Sequence, residues 1–281
     1  MTYEELVKNI HEMPPLSKVV TVIQSLYSGG VHSVDIQKLV RLIEADVMLT
    51  ANILRTINST FYGFEKQITS VGQAVTLLGS QQIYSLIMHY AISQQLEANT
   101  AIYGFNNAQF NEMCIMQSSL MMQWYSKIDL HDAQILSSLT LIMESGKIII
   151  SKELDESSYT QEYRKGFLEC EDIPKFEKEL LGVTSYYLSA ILFEHWNLIP
   201  LYSIVLKNLD RESNEYDECV DSIFAQYIQA VDVIRTALNL KEILTDESLK
   251  KAAQKVSAMG LEDEHFMMIA HKMRERYEAN L

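Results

Sequence analysis

Four prolines and ten glycines are all that readily break the backbone of this 281-residue chain. Between them apolar residues recur three and four positions apart, the spacing that lines one face of an α-helix. "SVDIQKLVRLIEA" sets Val34, Ile36, Leu39, Val40 and Ile43 on one stripe, with Ser33 as the N-cap candidate. Asp46 is placed to cap the next helix, "VMLTANILRTINS". "SVGQAVTLLG" opens with Ser70 and Gln73 at capping-box spacing and closes on Gly79, and "SQQIYSLIMHYAISQQLE" continues as another helix. Further helices are predicted near 108–126, 133–151, 175–181, 184–197, 200–208, 216–239, 246–258 and 262–279. No useful length of strand alternation occurs, so the expected fold class is all-α. Loops are expected at "DESSYTQEYRKG" (Asp155–Gly166) and "LDRESNEYDE" (Leu209–Glu218), both polar.

Apolar residues make up 48% of the chain, enough to bury a sizeable core in one large domain or two modest ones. The 37 acidic against 23 basic residues leave a net charge of −14. Phosphate backbones are bound by clustered Lys and Arg, and no such cluster is present, so direct contact with nucleic acid or an anionic membrane is not expected. No secretory signal is expected in "MTYEELVKNIHEMPP", nor a membrane span anywhere, since no apolar run reaches about 18 residues. Cys114, Cys170 and Cys219 form no CxxC pair, which fits a reducing cytoplasm.

Four segments in order carry a family likeness. They are "MPPLSKVV" (Met13–Val20), "IEADVMLTANILRTINSTFYG" (Ile43–Gly63), "ITSVGQAVTLLG" (Ile68–Gly79) and "LFEHWNLIP" (Leu192–Pro200). Together they resemble the signature of the HDOD domain, the HD-related output domain of bacterial signalling proteins, over roughly residues 10–210. The departures are Val47 in place of proline, Ile199 inserted before Pro200, Ser185 where the family often has His, and Lys207 and Asn208 near the family's paired histidines. The resemblance implies an HD-like multi-helix bundle. Residues 211–281 would then form a helical C-terminal part packed on the same core.

The wider HD superfamily, as the resemblance implies, holds a divalent metal with one His, an adjacent His-Asp pair and a distant Asp. Imidazole and carboxylate suit a metal that activates water against a phosphoester. Laid on this chain, that pattern falls on Gln117, on Met143-Glu144 within "LIMESGKIII", and on Asp232. Two carboxylates remain and no imidazole, so no catalytic residue, no metal site and no cofactor are expected. Glu144 could pair with Gln117 or Lys147, or line a residual pocket with Asp232. His131-Asp132 lies 12 residues too early and reads as a helix start. His265 and His271, six apart, do not share a helix face. No P-loop, GxGxxG or GxSxG is present.

The function implied is that of a non-catalytic, cytoplasmic signal-transduction protein acting through contacts with unknown signalling proteins, with oligomeric state open. The family-signature positions are Pro15, Asp46, Arg55, Asn58, Ser59, Tyr62, Gly63 and Trp196. Asn58, Ser59 and Gly63 read either as a helix C-terminus and turn or as part of a partner patch anchored by Tyr62 and Phe64. The alternatives are a metal-dependent phosphohydrolase or cyclic-nucleotide phosphodiesterase using Glu144 and Asp232, and a nucleotide-binding sensor without turnover.

Overall fold

The computed structural model describes residues 2–96, 99–155, 159–211, 215–216 and 220–280. Its helices in chain order are α1 (Tyr3–His11), α2 (Lys18–Leu26), α3 (Ile36–Glu44), α4 (Val47–Ile57), α5 (Val71–Gln95), α6 (Asn107–Tyr125), α7 (Leu130–Ile142) and α8 (Ser145–Leu154). They continue with α9 (Thr160–Glu169), α10 (Ile173–Leu181), α11 (Ser185–His195), α12 (Pro200–Asn208), α13 (Ser222–Ala237), α14 (Asp246–Ala258) and α15 (Asp263–Glu278). The fold is all-α, with no strand among the described residues.

Short polar side chains start many of these helices by accepting orphan amides. The Asp46 carboxylate accepts from the Leu49 N–H at 3.0 Å, as expected from the sequence. Thr2 and Glu5 form a reciprocal capping box ahead of α1. The α3 cap is Asp35, which accepts from the Lys38 N–H at 2.9 Å, and not Ser33, which closes a preceding 3₁₀ turn. As expected, the first helical part of α5 closes on Gly79, which is non-helical. Its φ of 79° kinks α5, a conformation open to glycine, and the helix resumes beyond it.

Two further sequence expectations are corrected. The helix expected over 133–151 is interrupted at Met143-Glu144, where α7 ends and α8 begins. The loop expected at Asp155–Gly166 is helical from Thr160, because Tyr163 and Phe167, one turn apart, are both buried. Residues 156–158 of that stretch, 212–214 and 217–218 of the second expected loop, and Cys219 lie outside the described residues.

The chain divides into two compact units. The first comprises residues 1–15, 96–114 and 143–262, and the second 16–95, 115–142 and 263–281. Thus 211–262 count with the first unit and 263–281 with the second. In the first, α11 packs on α8, α12 and α1, and α13 packs on α14. Its core includes Met143, Ile149, Leu188, Phe193, Tyr202 and Val231. In the second, α5 packs on α2, α3, α4 and α7 around Leu39, Ile53, Ile83, Ile87, Leu136 and Leu139. One helical stretch, Leu130–Leu154, is long and apolar enough to cross a membrane, and 89% of its 18-residue apolar window is buried within the protein itself.

Candidate functional site

Met143 and Glu144, where the resemblance implies the remnant of a His-Asp pair, sit in the first unit, where α8 meets α11. Gly146 makes the approach possible. A Cβ there would lie 1.8 Å from the Ser185 carbonyl oxygen, so only glycine fits. Across this contact the Gly146 N–H donates to the Ser189 hydroxyl at 2.7 Å, and that hydroxyl lies 2.7 Å from the Met143 carbonyl, to which it donates. Met143 and Glu144 are thereby fixed in a buried bend ahead of α8, at 0% and 1% exposure.

Glu144 is fully committed to neighbours. One oxygen meets the Lys147 ammonium at 2.5 Å, and the other accepts from the Tyr186 hydroxyl at 3.3 Å. Lys147 also donates to the Ser185 hydroxyl at 3.0 Å and lies 4.4 Å above the Tyr186 ring. Burial pushes its pKa down, but Glu144, Tyr186 and Glu177 outweigh that and hold it well above the ordinary lysine value. A second buried carboxylate, Glu177, accepts from the Ser185 N–H at 2.6 Å and from the Tyr163 hydroxyl at 3.4 Å. Burial raises its pKa, partly opposed by Lys147 and the Ser185 amide. Tyr103 completes the cluster by donating to the Lys147 carbonyl at 3.0 Å.

Asp232 lies on α13 with its own cations. Arg235, one turn on, donates to one of its oxygens at 2.7 Å, and Lys255 of α14 reaches the other at 2.5 Å. Arg235 also binds Asp210 and donates to the Leu209 carbonyl at 2.8 Å, with its guanidinium 5.2 Å over Tyr186. Burial would raise the Asp232 pKa, but Arg235 and Lys255 hold it below the usual carboxylate value. Tyr186 therefore lies between two acid–base clusters, touching Lys147 and Glu144 in one and Arg235 in the other.

This donor set does not suit a divalent metal. Each Glu144 and Asp232 oxygen already meets a proton donor, and three of the four meet fixed positive charge. Among the described residues no group of three or more His, Cys, Asp or Glu side chains gathers to hold a metal. Gln117 is buried in the second unit. His131 and Asp132 sit in the first turn of α7, where the Asp132 N–H donates to Asp129, and His131 stacks on His32.

The signature residues of the second unit make structure. Asn58 holds the turn after α4. Its side-chain amide donates to the Leu54 and Ile68 carbonyls, and its oxygen accepts from the Ile68 N–H, each at 2.8 Å. Ser59 contributes its carbonyl, which accepts from the Tyr62 N–H at 3.3 Å. Gly63 takes φ 72°, with the Arg276 guanidinium where a Cβ would project. The Tyr62 hydroxyl is buried toward Gln82 and Ser118, its pKa pushed up to about 12 by burial, while its ring stacks beside Phe64. Arg55 is exposed and donates to Asn52. In the first unit Pro15 is exposed, and the buried Trp196 donates from its indole N–H to the Pro14 carbonyl at 3.2 Å.

Sequence reading missed Glu177, Tyr186 and Arg235. A signal existed for two of them. Glu177 occupies the i+4 position of the buried stripe Ile173, Glu177, Leu181, and Arg235 stands three residues after Asp232.

Comparison with known proteins places these residues in context. The HDOD domain model matches residues 13–207. Among solved structures, one described as an HDOD domain protein with unknown function from Geobacter sulfurreducens superposes with TM-score 0.65 at 16% identity, over 98% of this chain and 94% of that one. A protein provisionally assigned as a phosphohydrolase, from Shewanella amazonensis, gives TM-score 0.69 at 17% identity, over 96% and 93%. A virulence factor from Campylobacter jejuni gives 0.54 at 20% identity, over 99% of both chains. These likenesses concern the fold. No curated protein matches the chain.

Proposed function

The chain belongs to the HDOD family, and from that premise we propose that it is a cytoplasmic signalling output protein that acts by contacting other proteins and catalyses no reaction. The observation that carries this reading is the buried Lys147–Glu144 pair, with nitrogen and oxygen 2.5 Å apart. Metal-assisted hydrolysis needs carboxylates and imidazoles free to ligate and an open position for water. Here the carboxylate aligned with the His-Asp pair is neutralised by a side chain of the same helix, and Asp232 is clasped by two more cations.

A contact surface is supported by Val47 and Met48, 77% and 63% exposed at the head of α4. They follow directly on Asp46 inside the second signature segment, and Val47 stands where the family has proline. Large apolar side chains side by side on a solvent-facing turn favour contact with another protein. Tyr62 has its hydroxyl in the interior and serves the turn.

The test is metal analysis of protein purified without chelator, combined with a phosphodiesterase assay in added Mn²⁺ and Mg²⁺. Substoichiometric metal and no turnover are expected. Stoichiometric metal with chelator-sensitive hydrolysis would overturn the proposal in favour of a phosphohydrolase. For the contact surface, Val47→Asp/Met48→Asp is expected to lose partners that wild type captures from cell extract while keeping its helical content.

A further inference from the structure

A cleft of about 260 Å³ opens in the first unit, lined by residues of α1, α10, α11 and α12 and the segments that follow α10 and α12. It adjoins the buried cluster around Asp232, because its lining residue Asp210 pairs with Arg235. In a chain of net charge −14, its charged lining is three cations, Lys178, Lys207 and Arg211, against one acid, Asp210. Two aromatic rings, Tyr3 and Tyr187, share the wall, edge to face with centroids 6.4 Å apart.

The inner acid points to a ligand with a donor. One Asp210 oxygen is bound by Arg235, and the other is buried with no hydrogen-bond partner among the described residues. An acceptor left that way costs free energy until a donor meets it. Lys207 is held at the rim by Glu194, at 2.7 and 2.9 Å, with its ammonium 5.8 Å from the Tyr187 ring centre. The exposed Lys178 makes no ion pair with a described residue. Lysine and arginine bind phosphate oxygens, tyrosine offers a face for a base, and a buried carboxylate oxygen takes a ribose hydroxyl or an exocyclic amine.

We propose that this cleft binds a phosphate-bearing small molecule of the mononucleotide class, with its phosphate toward Lys178 and Arg211, its base on Tyr187 and a donor on Asp210. The volume falls just below the usual range for small-molecule sites, which suits at most one nucleotide and excludes larger polyphosphate ligands from full burial. Lys207 falls near the positions where this chain departs from the family's paired histidines.

The experiment is isothermal titration of the full chain with the four ribonucleoside monophosphates, adenosine and inorganic phosphate. At least one monophosphate is expected to bind saturably, with adenosine and phosphate each weaker by about tenfold or more, since each keeps only part of the contacts. Lys178→Ala, on an exposed helix face, is expected to weaken the monophosphate about tenfold. Lys250→Ala, exposed on α14, is expected to leave it unchanged. No binding by wild type at millimolar nucleotide, phosphate binding as tight as the nucleotides, or affinity unmoved by both Lys178→Ala and Lys207→Ala would each overturn the assignment. Failure here leaves the family role in place, because that role rests on the Lys147–Glu144 pair and on α4.

Discussion

Lys147 is 2% exposed and charged, and a buried ammonium is tolerated only where partners replace its hydration. It has them in Glu144, Ser185 and the Tyr186 ring. Removing one member of such a pair is worse than removing both, because the survivor is a buried charge without compensation. Lys147→Met is expected to destabilise the protein by about 3–5 kcal/mol. Lys147→Met/Glu144→Gln is expected to recover a large part of that loss. Urea unfolding of the two variants beside wild type decides it. A double variant as unstable as the single one would show that the pair is not coupled. The same pair bears on the proposed function, since the Glu144 oxygen that meets the ammonium is not free to ligate a metal.

At the scale of elements, the α8–α11 contact rests on one missing Cβ. Gly146→Ala puts a methyl 1.8 Å from the Ser185 carbonyl oxygen, which is backbone and cannot swing aside. The helices must part, and with them the Ser189 and Lys147 bonds. Loss of the cooperative thermal transition is expected. Gly72→Ala, inside α5 with nothing within 4 Å of its would-be Cβ, is expected to be neutral or to stabilise by up to about 1 kcal/mol. A Gly146→Ala protein melting near wild type would refute the account. The turn after α4 tests the structural side of the family signature. Asn58→Ala removes three 2.8 Å bonds and is expected to cost about 1–3 kcal/mol and to speed amide exchange at Ile68. Much at this scale is readable from residues alone. Caps such as Asp46 and apolar stripes such as that of α3 depend on neighbours within a turn or two. What resisted reading depends on partners far away in sequence. α9 is held by Tyr163 and Phe167 reaching buried Tyr103, about 60 positions earlier, against a polar local composition. The bend at Met143-Glu144 has no proline to announce it. Its cause is Ser189, 46 positions on, which binds the Met143 carbonyl.

Over the whole molecule, buried ionisable groups write a pH profile of stability. Asp232 is held below its ordinary 3.8 by Arg235 and Lys255, against its own burial. Its contribution is present above pH 3.8 and is lost as pH falls through the lower folded value. Glu177 acts in the opposite sense. Burial raises it above 4.5, so the native state holds its proton longer than the unfolded chain, and stability declines as pH rises from 4.5 through the folded value. On the alkaline side the phenols of Tyr103 and Tyr163 are pushed well above 10 by burial, and those of Tyr62 and Tyr125 to about 12. Lys147 is held well above 10.5. All five favour the native state fully below about pH 10 and lose that advantage as pH climbs through their folded values. Urea midpoints taken across the pH range should therefore fall steeply above pH 10. Tyrosine ionisation, followed by ultraviolet absorbance, should lag the model phenol until the protein unfolds and then complete in the same transition. Glu177→Gln isolates the middle of the profile. It keeps an oxygen for the Ser185 N–H and removes the titration, so the decline above pH 4.5 should flatten relative to wild type. An unchanged slope in that variant would mean that Glu177 does not set the profile there, and that its burial is tolerated by the Ser185 amide and Lys147 at no net cost.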